Sequence, residues 1–204
     1  MSTDDSPNSP TRTEALLMTA KASKPCVHLL VGPVGAGKTT YAMQLAAQLK
    51  GLRLSLDDFT TALVAHLMAK NTPKAVDAEM TATCLGAIWS LAQKTVRGGQ
   101  DAVLELGLSQ RVNREAFYAK VAAQGIDLVI YVIEAPREVC RIRVARRNVE
   151  KGRTFTREIP ADFFEVASDA WQPVLAEEAH GRDVRFVSTD STAIDCLAAH
   201  ELKF

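Results

Sequence analysis

Gly32-Pro33-Val34-Gly35-Ala36-Gly37-Lys38-Thr39 decides the reading of this chain. The stretch follows the pattern G-x-x-x-x-G-K-[ST] of a phosphate-binding loop. An apolar run, Val27-His28-Leu29-Leu30-Val31, leads into it, and a helix-like run from Thr40 to Leu49 leads out. That is the strand–loop–helix setting the motif needs. Glycine at positions 32, 35 and 37 opens backbone conformations closed to other residues and keeps Cβ atoms away from a ligand. The loop N–H groups can then converge on an anion, with the N-terminal end of the next helix behind them. Lys38 is placed to reach the β/γ-phosphates of ATP, and the Thr39 hydroxyl to hold Mg²⁺, with Thr40 beside them at the helix start. An ordinary glycine-rich turn would have no use for the Lys-Thr pair.

Around that loop, the composition is that of a globular enzyme-sized unit. The chain has 204 residues, 47% of them hydrophobic and 24% charged, enough for one proper core. Lysine plus arginine and aspartate plus glutamate each count 24, a formal net charge of zero. Bulk attraction to nucleic acid or to a membrane surface is therefore not expected. The cysteines at 26, 84, 140 and 196 lack C-x-x-C spacing and read as buried free thiols in a reducing compartment rather than as disulfides or a metal site. No apolar run approaches the ~18 residues of a membrane span. Asp4 and Asp5 stand where a signal peptide would be basic and apolar, so a cytoplasmic location is expected.

The expected organisation is a disordered tail over residues 1–24, rich in Ser, Thr and Pro, followed by a nucleotide-binding domain over 25–204. Leu52 to Leu56 reads as a second strand ending at Asp57-Asp58-Phe59, and helices are expected over 60–70 and 75–97. The longer helix carries a stripe of Val76, Met80, Cys84, Ala87, Ile88, Leu91 and Thr95, with Trp89 at its border. Asp101 to Gly107 is a third strand. Asp127 to Ile133 is a near-continuous apolar run of the kind found at the centre of a parallel sheet. Asp183 to Ser188 is a short last strand, and Ala193 to Leu202 a closing helix. Strands alternating with helices predict an α/β fold with a parallel five-stranded sheet.

In such a sheet, ligands gather at the carboxyl ends of the strands. Asp57 and Asp58 fall there; either one caps a helix starting near Thr60 or does chemistry, and Asp57 is the choice for chemistry. Glu105, ending the third strand, is a candidate for the Mg²⁺ shell or for a charge satisfied by a neighbouring loop. Arg111 and Arg114 are expected to face solvent. Arg141, Arg143, Arg146 and Arg147 crowd one helix that begins at Pro136. Arg143 and Arg147 share a face and suit the charge of a transferring phosphoryl group, unless the face is simply solvated. Lys151-Gly152-Arg153-Thr154-Phe155 reads as a short lid. Phe163, Phe164, Ala167, Trp171 and Leu175 give the next helix an apolar face, which Pro173 should kink or end.

This ordered set resembles the P-loop kinases of the polynucleotide-kinase, zeta-toxin and chloramphenicol-phosphotransferase type. It is most similar to the small bacterial AAA family ATPases grouped with them. The resemblance runs from about Cys26 to Ser188. It implies a three-layer α/β/α sandwich, nucleoside-kinase-like, with ATP and Mg²⁺ as cofactors. It also implies that Asp57 acts as general base toward a substrate hydroxyl, while Arg143 and Arg147 hold the triphosphate. The chain departs from polynucleotide kinases in having Thr60 and Thr61 after Phe59, where those carry an Arg, and Glu105 where those carry Asp. Both departures point away from nucleic acid and toward a small-molecule acceptor. The alternatives are an ATP hydrolase or nucleotide-dependent switch, and a module that binds nucleotide without catalysis. No N-K-x-D motif for guanine is present.

Overall fold

The computed structural model describes residues 24–69 and 78–189. The expected tail lies outside these residues except for Lys24, and the closing helix over 193–202 lies wholly outside them.

The apolar run before the loop becomes strand β1 (Val27–Val31), with all five residues buried. Its neighbours are β3 (Ala102–Glu105) on one side and β4 (Leu128–Glu134) on the other. Strands β2 (Leu52–Ser55) and β5 (Asp183–Ser188) complete a sheet of order β2-β3-β1-β4-β5, every pair parallel. The five-stranded parallel sheet expected from the sequence is therefore present.

Alternation along the strands divides the core in two. Val27, Leu29, Val31, Leu104, Ile130 and Val132 face one side. There they meet Ile88 and Trp89 of helix α3 (Ala78–Arg97) and Phe117 of α4 (Arg111–Ala122). Leu30, Val103, Tyr131 and Ile133 face the other. They pack on Leu45 of α1 (Lys38–Leu49), Val144 of α5 (Arg137–Glu150) and Phe164 of α6 (Ala161–Asp169). Each fully buried aliphatic or aromatic side chain contributes roughly 1.5–3 kcal/mol, so this double layering holds the central strands rigid. The remaining helices are α2 (Leu56–Ala69) and the single turn α7 (Ala176–Ala179).

Several boundaries differ from expectation for local reasons. Helix α2 starts at Leu56 rather than near Thr60, so Asp57 and Asp58 sit inside its first turn. There they complement the helix dipole instead of capping it. On α3 the buried stripe is Met80, Cys84, Ile88, Trp89 and Ala92; Leu91 is exposed and Val76 lies outside the described residues. Trp89, placed at the border by periodicity, draws the stripe toward itself by packing edge-on against Phe117 at 5.5 Å. Helix α6 ends at Asp169, well before Pro173. The backbone beyond it is taken by the loop after β3, because Gln172 N–H donates to Ser109 O at 3.0 Å.

Candidate active site

Every strand delivers its carboxyl end to the same edge of the sheet, and that edge holds a cavity of about 870 Å³. Its floor is the loop between β1 and α1. Gly32, Gly35 and Gly37 have φ of 151°, 80° and 96°, which side chains other than hydrogen rarely tolerate. A Cβ on Gly32 would stand 2.2 Å from Ile133 O, and one on Gly35 would stand 2.6 Å from Cys140 O. The glycines thus let the loop lie directly against β4 and α5. No side chain caps the first turn of α1, which leaves its N–H groups to an anion.

Gly32, Pro33, Val34, Gly35, Gly37, Lys38, Thr39 and Thr40 line the cavity, while Ala36 is buried beneath the loop. Lys38 Nζ donates to Gly32 O at 2.9 Å and Pro33 O at 2.8 Å. Burial pushes its ammonium below the usual lysine range, with Glu105 and Asp57 pulling the other way. Thr189, just after β5, latches the loop from the far side. Its hydroxyl donates to Ala36 O at 2.6 Å and accepts from Arg143 Nη1 at 2.9 Å.

The two acids at the end of β2 part company. Asp58 pairs with Arg53 at 2.8 Å, whereas Asp57 lines the cavity with its side chain 62% exposed and Arg157 3.9 Å away. Glu105 also lines the cavity, but its side chain is only 8% exposed and its Oε1 accepts from Arg53 Nε at 2.6 Å. The charge of Glu105 is thus balanced by a neighbouring strand rather than a neighbouring loop.

The arginines of α5 divide in the same way. Arg141 is tied to Glu138 and to Glu165, the latter at 2.8 Å, and Arg146 lies 3.6 Å from Glu150. Arg143, Arg146 and Arg147 all line the cavity, Arg146 together with its partner Glu150. Arg147 Nε is buried with no hydrogen-bond partner among the described residues. Burial lowers the affinity of Arg147 for its proton, and Asp57 partly restores it. The segment after α5, where a short lid was expected, contributes Gly152, Thr154 and Arg157 to the cavity. Phe163, Ala167, Ala170 and Trp171 give the cavity an apolar wall.

One expectation fails outright. Arg114 does not face solvent: it and Glu178 are both completely buried, joined at 2.6 and 2.7 Å, with Tyr118 donating to the same carboxylate at 3.0 Å. Arg114 Nη1 also donates to Ser109 O at 3.0 Å, and its guanidinium stacks over Trp171 at 5.1 Å. It is a strut behind one cavity wall. Thr189, Arg157 and Arg53 were not singled out from the sequence either; nothing local marks them, because each acts across the sheet or from an irregular segment.

A phosphate-binding loop on a parallel sheet, with lysine, two arginines and acids at the strand ends, defines a P-loop kinase-like nucleotide-binding fold. Solved structures share it at low identity. A protein of Chloroflexus aurantiacus j-10-fl assigned as a kinase is 22% identical, with TM-score 0.62, over 89% of this chain and 100% of that one. Kti12 of Chaetomium thermophilum, solved with ADP-AlF3, is 16% identical, with TM-score 0.60, over 85% and 97%. A gluconokinase of Sinorhizobium meliloti 1021 is 12% identical, with TM-score 0.56, over 86% and 89%. No curated protein matches the chain. The model of the AAA domain family matches residues 27–172, and the chain belongs to that family. Among the described residues no helix is long and apolar enough to cross a membrane.

Proposed function

We propose that this protein is an ATP-dependent phosphotransferase that moves the γ-phosphoryl group of ATP to a hydroxyl of a small-molecule acceptor. The observation that carries the proposal is Asp57, a carboxylate that no arginine among the described residues ties down by a hydrogen bond. Arg53 takes Asp58 and Glu105, while Asp57 stays exposed in the same cavity as Lys38, Arg143 and Arg147. An exposed acid facing the phosphate loop, paired only loosely with Arg157 at 3.9 Å, suits a general base.

In this reading the loop N–H groups and Lys38 hold the β- and γ-phosphates. Asp57 accepts the proton of the acceptor hydroxyl, whose oxygen forms a bond to the γ-phosphorus. The bond from that phosphorus to the β,γ-bridging oxygen breaks, and ADP leaves with the electron pair. Arg143 and Arg147 offset the charge spread over the transferring oxygens. The Thr39 hydroxyl and the Glu105 carboxylate are hard oxygen donors on one cavity, the donor type Mg²⁺ takes. When bound there, Mg²⁺ would neutralise part of the phosphate charge. The wall of Phe163, Ala167, Ala170 and Trp171 supports an acceptor with some apolar surface, and the zero net charge gives no support to a nucleic-acid acceptor.

The test uses γ-labelled ATP with Mg²⁺ and a panel of hydroxyl compounds, comparing wild type with Asp57→Asn. Label should move to one compound, with a rate about 10²–10⁴-fold lower in the variant and nucleotide affinity retained. Label found only as free phosphate, equally in both proteins, would refute transfer and leave a hydrolase or switch.

A further inference from the structure

At the opposite edge of the sheet, far from the cavity, three residues of different chemistry converge. Cys26 precedes β1 and His28 lies two residues on, so both point to the same face. The β1–β3 register pairs Val27 with Ala102, which sets Cys26 beside Asp101. His28 Nε2 lies 3.2 Å from Cys26 Sγ and 3.2 Å from Asp101 Oδ1, and the three donor atoms all fall within 4.8 Å of one another. His28 is buried and the other two are partly buried. We propose that Cys26, His28 and Asp101 form a binding site for a divalent transition-metal ion of the zinc class.

Without a metal, the Cys26 thiol and the His28 Nε2–H can both hydrogen-bond to Asp101. A divalent cation would take the place of these two protons, because thiolate, imidazole nitrogen and carboxylate then all direct lone pairs inward. Metal–ligand bonds of about 2.0–2.3 Å in a tetrahedron put donor atoms roughly 3.3–3.6 Å apart, so the two separations of 3.2 Å need widen by only a few tenths of an ångström.

The outer ring also fits. His28 Nδ1 lies 3.4 Å from the Tyr131 hydroxyl, which accepts from Arg185 Nη1 at 3.3 Å. A partner on Nδ1 fixes the ring so that Nε2 faces the metal. The Cys26 N–H donates to Asp101 Oδ1 at 2.9 Å, holding the carboxylate in place. A mixed sulfur, nitrogen and oxygen set selects zinc over magnesium or calcium. With three protein ligands the fourth position goes to water, and binding releases the thiol proton to solvent. The five residues of β1 separate this cluster from the phosphate loop by about 16 Å. The metal would therefore tie β1 to β3 and stabilise the sheet rather than take part in phosphoryl transfer.

The experiment is titration of the full-length chain with zinc chloride and, in parallel, with cobalt chloride, under a non-thiol reductant. Wild type should bind zinc in a saturable 1:1 complex that raises the melting temperature. The cobalt form should show a thiolate-to-metal charge-transfer band. Cys26→Ser should lose that band and weaken zinc binding at least about tenfold, and Asp101→Asn should weaken it similarly. Retained binding of an ATP analogue verifies that each variant is folded. Saturable zinc binding unchanged in Cys26→Ser would overturn the site, as would a wild-type protein that binds no zinc or whose cobalt complex lacks the thiolate band.

Discussion

Replacing Glu178 by Gln tests the strut that fixes one wall of the cavity. Arg114 and Glu178 have side chains that are each 0% exposed, linked by two hydrogen bonds of 2.6 and 2.7 Å. Neutralising the carboxylate leaves a guanidinium that has lost its water and no longer faces a full charge. Breaking such a buried pair costs about 3–5 kcal/mol, which in a chain of this size lowers the melting temperature by about 6–20 °C. Scanning calorimetry reads this directly, and a variant melting within about 2 °C of wild type would refute the reasoning. Removing both charges, in Arg114→Met with Glu178→Leu, should recover much of the loss, because an apolar pair of similar volume avoids the desolvation altogether. The pair also predicts an acid response. Burial alone would raise the Glu178 carboxyl, but the Arg114 guanidinium and Tyr118 hydroxyl outweigh it and hold it below the usual carboxylate range. As pH falls the unfolded chain takes up this proton first. The stabilisation is therefore complete above the unfolded value of about 4.3 and drains away as pH drops through the lower folded value. The Glu178→Gln variant should lack that component of acid sensitivity.

Gly35→Ala would place its Cβ 2.6 Å from Cys140 O at φ 80°; the loop must shift, and strain of about 1–3 kcal/mol should weaken nucleotide binding roughly 5–150-fold. Fluorescence titration with a labelled ADP measures this, and unchanged affinity would mean the loop does not rest on α5 as described. Arg147→Met should separate two effects of opposite sign. Removing a buried, unpartnered Nε should leave the melting temperature equal or higher, while loss of a charge-assisted contact of about 1.5–3 kcal/mol should lower ATP affinity or turnover more than tenfold. A variant that melts lower yet handles ATP normally would make Arg147 structural.

Much of this was legible because the signals are local. Positive φ at Gly32, Gly35 and Gly37 is demanded by the loop pattern itself, and β1 and β4 are apolar runs that suit only the middle of a parallel sheet. Type and spacing single out Asp57, Arg143 and Arg147, and all three line the cavity with Lys38. What the sequence hid depends on contacts between distant positions. The partner of Arg114 lies 64 residues away, so a basic residue at a helix start looked like any solvated one. The claim of Arg53 on Glu105 spans 52 residues and follows from strand order, which no local pattern states. The stripe on α3 shows the same limit: Ala87 and Leu91 lie on it yet are exposed, while Trp89 at its border is drawn into the core by Phe117.

The distribution of charge explains why these contacts matter to the site as well as to the fold. Arg53, Arg114 and Arg141 are each matched to carboxylates of the chain. With Arg146 and Arg157 set against Glu150 and Asp57 as well, Lys38, Arg143 and Arg147 remain on the cavity without a carboxylate in ion-pair contact among the described residues, Lys38 resting on carbonyls and Arg143 on Thr189. Burial makes Lys38 and Arg147 worse cations than they would be in water, and neutral acceptors return only part of that cost. A polyanion held by the loop returns more, because each charge-assisted hydrogen bond is roughly twice as strong as a neutral one. In the proposed reaction, the same crowding that disfavours these cations alone would strengthen their response to charge building on a transferred phosphoryl group. In the proposed transfer, Asp57, whose one ion pair among the described residues is the 3.9 Å contact with Arg157, would meet the acceptor hydroxyl in the same cavity.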